Sequence, residues 1–169
     1  MQIGNIHLGR VENAEAPAAD VLEVSAVWRE LVSRYEVIQL TQLLQNFAHD
    51  ADLKLILTKG LMETLEKQVN KLEEEMNRLK IPLPERPPKS VKVPSTTGVF
   101  EDRFVFGLVF NGIQDMLERH VEHIRLITTR DGLRKTLIQF LQEELNIFDR
   151  MVLYGKMKGW LKSPPKFIA

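Results

Sequence analysis

Gln39, Gln68, His120 and Glu144 each fall near the middle of the apolar stripe of a different predicted helix. Side chains of this kind among aliphatic neighbours must be paired, hydrated or metal-bound, since an unsatisfied one costs roughly 1–3 kcal/mol. His123 lies one helical turn beyond His120, and the chain has no cysteine, so any metal would have to be held by nitrogen and oxygen donors. The chemistry this suggests is a zinc or iron site shared by His120, His123 and Glu144 with one position left open. The competing reading is a buried polar cluster in which His120 and Glu144 hydrogen-bond across the core and Gln39 and Gln68 satisfy the remaining groups.

The spacing weighs against a di-iron centre. Such centres take one Glu from each of two helices and a Glu-x-x-His from each of the other two. The second helix has Glu63 and Glu66, with Val69 where the His would fall; the third has His120-x-x-His123; the fourth has Glu143-x-x-Asn146. Gln68 adds an amide, a poor transition-metal ligand. No metal, cofactor or catalytic residue is therefore expected, with zinc or iron at His120, His123 and Glu144 as the alternative. The glycines form no phosphate cradle, and no serine sits in Gly-x-Ser-x-Gly.

The elements that must position these side chains are helices. A 3.6-residue period predicts them over 21–48, 53–80, 102–127 and 132–158, in one domain spanning 21–169. On the first helix the expected inward residues include Val24, Trp28, Leu31, Tyr35, Ile38, Gln39 and Leu43. Asp102 is the expected cap of the third helix, and Gly112 is expected to admit a close neighbour. Glu74 and Arg78 are expected to pair on the solvent side of the second helix, and Gly159 to end the fourth. Residues 81–101, with Pro82, Pro84, Pro87, Pro88 and Pro94, read as an extended crossover. Roughly 20 extended residues reach ~60 Å, more than the ~40 Å length of the second helix. Two antiparallel hairpins joined this way make an all-α, ferritin-like four-helix bundle. Residues 1–20, with Gly4, Gly9 and Pro17 and little apolar content, read as a loosely ordered tail.

The 169 residues carry 23 basic and 23 acidic side chains, so no overall field favours nucleic acid. The start lacks a signal peptide's basic and apolar regions, and no apolar run is long enough to span a bilayer. Cytoplasmic synthesis without membrane insertion is the expectation. Lys156, Lys158, Lys162 and Lys166 form a small basic patch that complements the last helix's C-terminus. Outward apolar residues such as Leu40, Leu44, Leu55 and Met62 would suit self-association.

The stretch Met151-Val152-Leu153-Tyr154-Gly155-Lys156-Met157-Lys158-Gly159-Trp160-Leu161, followed by Pro164-Pro165, resembles the end of the last helix in ferritin-like spore coat proteins. The resemblance extends to Glu66-Lys67-Gln68-Val69 with Leu72 and to the exit Ile81-Pro82-Leu83-Pro84, covering nearly all of 21–167. These are the coat protein F-like proteins of spore-forming bacteria and their unassigned relatives. The resemblance implies a non-catalytic structural or assembly protein, not an enzyme, located in the spore coat, with other coat proteins or further copies of itself as partners. Gln68 stands where such relatives often carry a histidine. The alternatives are a metal-binding bundle or oxidoreductase with an atypical His/Glu site, and a cytoplasmic helical adaptor.

Overall fold

Asp20 starts the bundle by accepting from the Leu22 and Glu23 amides at 2.8 and 2.9 Å, while the Glu23 side chain reaches back to the Asp20 amide in a capping box. A computed structural model describes residues 2–7, 18–91, 100–162 and 164–165. From this cap helix α1 runs Val21–Gln45. After a short turn Asp50 caps α2, Ala51–Leu55, which continues through a π-helical turn, Ile56–Leu61, into α3, Met62–Arg78. Helices α4, Asp102–Leu126, and α5, Asp131–Lys158, complete the bundle. Strands β1, Gln2–Ile3, and β2, Ile6–His7, pair as a small antiparallel hairpin.

Side-chain contacts fix the helix directions. Tyr35 meets Glu73 and Gln45 meets Leu57, so α1 and α3 are antiparallel. Glu23 reaches Thr129 while the His49 amide reaches Asp102, so α1 and α4 are antiparallel too. Stacked Phe110 and Phe148, and Phe106 against Tyr154, set α5 antiparallel to α4. The core these helices enclose includes Leu31, Leu53, Leu57, Leu72, Met76, Val105, Leu133 and Leu137, all fully buried.

Helices α3 and α5 end alike. The Ile81 amide donates to Met76 O at 2.9 Å and Lys80 N to Asn77 O at 3.1 Å, while Trp160 N donates to Gly155 O at 2.9 Å and Gly159 N to Lys156 O at 3.2 Å. Both are Schellman closures with a left-handed residue, Gly159 at φ 68° and, unusually, Lys80 at φ 57°. The proline-rich segment then turns back over α3 and α1: Arg86 pairs with Glu73 at 3.2 Å, and Gln42 donates to Lys89 O at 3.0 Å.

Several expectations change. The first helix ends at Gln45, not residue 48, and the second begins at Ala51, not residue 53, and contains the π turn. Thr58, whose hydroxyl donates to Lys54 O at 2.8 Å, and Gly60 lie in that wide turn. Glu101 occupies the cap position of α4; Asp102 instead accepts from the His49 and Asp50 amides at 2.7 and 2.9 Å, tying that helix to the α1–α2 turn. Arg78 pairs with Glu75 at 2.7 Å, and Glu74 with Lys71 at 3.5 Å. A Cβ on Gly112 would meet nothing within 4 Å, so this glycine faces open space; the tight approach is at Gly155, where a Cβ would lie 2.4 Å from Phe106 Cζ. Trp28 is exposed, and Leu44 and Met62, expected outward, are in the core. The N-terminal hairpin turns on Gly4, at φ 55°, and Asn5, a two-residue loop that composition alone did not reveal. The rest of the tail (8–17), Pro94 within 92–99, and Lys166 and Phe167 lie outside the described residues.

Candidate functional site

Four helices converge on Arg34. Its side chain is fully buried, and Glu30, one turn earlier on α1, pairs with it at Nη2–Oε1 2.8 Å. From α3, Gln68 Oε1 accepts from Arg34 Nε at 2.9 Å, and the Gln68 amide donates to Glu143 of α5 at 3.1 Å. From α5, Glu144 Oε1 accepts from Arg34 Nη2. From α4, His120 Nδ1 lies 2.9 Å from Glu144 Oε2, and His123 Nδ1 contacts Glu30 Oε2. Among the described residues, Arg34 Nη1 has only the Met116 thioether, at 4.0 Å.

Donor chemistry orients the histidines. His120 Nδ1 is also 3.2 Å from Arg34 Nη2, a group that can only donate. An unprotonated Nδ1 would set its lone pair against the nearer Glu144 carboxylate, so Nδ1–H donates to Glu144, and the Nη2 protons serve the two carboxylates. Glu30 Oε1 is held by charge more than by an aligned hydrogen bond, and His120 Nε2 is buried without a hydrogen-bond partner among the described residues. Burial by itself would raise the Glu30 pKa, but the Arg34 charge, the His123 hydrogen bond and the nearby imidazole charges outweigh it and bring it down to about 2. Glu30 is thus a carboxylate at any physiological pH.

A further buried carboxylate, Glu23, locks the loop between α4 and α5. It accepts from the Thr129 and Arg130 amides at 3.0 Å each and from the Thr129 hydroxyl at 2.8 Å. At the other end of the bundle, Lys158 pairs with Asp50 at 2.6 Å and Asp52 at 3.1 Å and sits over the Tyr154 and Trp160 rings. The Lys158 hydrogen bond leads the effects that lower Asp50 to about 2.

This arrangement is a buried network of ion pairs and hydrogen bonds. Among the described residues, no group of three or more His, Asp or Glu side chains is disposed to hold a metal ion. His120 faces Glu144 and His123 faces Glu30, with the guanidinium among the carboxylates, so His120, His123 and Glu144 do not share a common vertex.

Residues 17–169 match the family described as "Protein of unknown function (DUF3231)". The chain belongs to this family. Its fold is shared with the crystal structure of a putative spore coat protein from Bacillus halodurans, at TM-score 0.80 and 21% identity over 90% of this chain and 97% of that one. No curated protein matches the chain. No helix among the described residues is long and apolar enough to cross a membrane.

Of the predicted polar set, the fold of this family member brings Gln68, His120 and Glu144 together, with His123 beside them. Gln39 is not among them: five residues beyond Arg34, it lies ~140° round the helix and lines an open groove with Trp28 and Pro84. Glu23, Glu30 and Arg34 were missed because charged residues on a buried face look like the solvent side of an amphipathic helix. The signal that would have found them is the 3-4 spacing Glu23, Val27, Glu30, Arg34, Ile38, Thr41, Leu44 and Ala48, every one of them buried.

Proposed function

We propose that the chain is a non-catalytic structural or assembly protein of the spore coat type, acting through contacts of its helix faces with itself or with other coat proteins. The observation that carries this reading is Arg34. In ferritin-like bundles the metal occupies the point where inward carboxylates and imidazoles meet; here a buried guanidinium pairs with both Glu30 and Glu144. The network spans all four long helices, so its role is to set their relative register and hold the outer faces in fixed relation.

Other observations support the same reading. With α1 antiparallel to α3 and to α4, helices α3 and α4 run the same way, as in ferritin-like connectivity, and the proline-rich segment heads back along α1 as an end-to-end crossover requires. The neighbour sharing this fold is a putative spore coat protein. A formal net charge of +0 leaves no long-range repulsion between copies. Exposed Leu145, Leu153 and Met157 provide apolar surface on α5.

The test pairs spore fractionation with elemental analysis of aerobically purified, untagged protein. The expected result is recovery in the coat fraction, altered coat composition on deletion, and no stoichiometric metal. Stoichiometric zinc or iron that is lost when His120 and Glu144 are changed to Ala would overturn it in favour of a metal-binding bundle. Absence from spores together with stable partners elsewhere would favour the cytoplasmic adaptor.

A further inference from the structure

A cavity of about 60 Å³ descends between α1, the π turn, α4 and α5 and ends on Arg34 and Glu144. Its walls are aliphatic, among them Leu44, Leu61, Val109 and Ile113, and its rim carries the exposed side chains of Leu40 and Leu108. Leu61 comes from the π turn, a helix irregularity that recurs at functional sites. Gly112 borders the cavity, and a Cβ there would meet nothing within 4 Å, so the helix leaves this space open where any other residue would begin to fill it.

The closed end is polar in a specific way. Arg34 Nε and Nη2 are committed to Gln68, Glu30 and Glu144, but among the described residues Nη1 has only the Met116 sulfur at 4.0 Å, a weak acceptor. Met116 itself lines the cavity, which places Nη1 at its polar end. The Glu144 carboxylate stands at the same end of the cavity, so an incoming anion would meet it head-on and be repelled. An uncharged oxygen is not: it can accept from Nη1, and a hydroxyl can also donate to a free lone pair of Glu144.

We propose that this cavity is a binding site for an uncharged aliphatic molecule ending in one hydrogen-bonding oxygen, such as a medium-chain alcohol. The oxygen lies on Arg34 and Glu144, the first carbons fill the aliphatic shaft, and the rest of the chain leaves between Leu40 and Leu108. The space is smaller than the dry ~150 Å³ cavity known to hold benzene, which restricts the buried part to a slim, unbranched end. This site is independent of the coat reading, since it needs neither a metal nor a partner protein.

The test is titration of the full-length protein with 1-hexanol, hexanoate and hexylammonium at neutral pH, followed by methyl NMR shifts of the cavity leucines and isoleucines. Saturable shifts with 1-hexanol, and affinity at least about tenfold weaker for both ions, are expected. Gly112→Leu, which fills the shaft, should weaken 1-hexanol at least about tenfold, whereas Gly107→Leu, on the same helix outside the cavity, should leave it unchanged. If Gly112→Leu does not fold, Val37→Phe on the opposite wall provides the same block. Non-saturating shifts, tighter binding of either ion, or equal affinity in the blocked variant would overturn the proposal.

Discussion

Arg34 concentrates the consequences of burying charge. Replacing it by Met removes the guanidinium that Glu30 and Glu144 share, and the expected loss is about 3–5 kcal/mol in urea unfolding. Glu30 gives the same network a pH signature. Its pKa is depressed from 4.5 to about 2, so its stabilising contribution is complete above about pH 4.5 and is lost as pH falls toward 2. The gap corresponds to about 3 kcal/mol for this fully buried group. Glu30→Gln should therefore flatten the fall in stability between pH 4.5 and 2, measured by denaturant midpoints across that range. Asp50, also lowered to about 2, titrates in the same window, so the slope should shrink without vanishing. At this scale the residue types on α3, α4 and α5 were legible because Gln68, His120 and Glu144 interrupt otherwise aliphatic stripes. Arg34 was not, because a charged residue on a helix gives no sign of which face it occupies until a partner is known.

The elements divide into those that local sequence dictates and those that neighbours decide. Gly155 is a packing requirement: a Cβ would sit 2.4 Å from Phe106 Cζ and 3.3 Å from Leu161 Cβ. Gly155→Ala should cost about 1–3 kcal/mol by thermal or urea unfolding. Lys80 is the opposite case, a side-chain-bearing residue in the left-handed position of a Schellman closure, where Gly159 occupies the equivalent place in α5. Lys80→Gly should stabilise the protein by about 0.5–1 kcal/mol in the same assay. Helix existence was readable throughout, and the start at Val21 and the ends near Arg78 and Lys158 follow from a cap, proline and glycine. The π turn was not, because the apolar spacing Leu53, Leu57, Leu61, Leu65 is the same as that of an unbroken α-helix.

For the molecule as a whole, the family match begins at residue 17, and the hairpin residues Ile3 and Ile6 are exposed. Removal of residues 1–17 should leave the thermal midpoint within about 2 °C of the full chain, measured by circular dichroism. A larger drop would place the N-terminal segment among the elements that hold the bundle together.

Helical periodicity and the proline-rich interruption were enough to determine a helical bundle, because its elements are written in local spacing and short-range chemistry. Only the tertiary structure decided the phase of α1, and with it the nature of the core. Turning that helix by about one residue moves Gln39 out and brings Glu30 and Arg34 into an ion-pair network with Glu144. The choice depends on polar and charged groups from four helices satisfying one another across distances in sequence of up to 110 residues, a match that no single segment encodes.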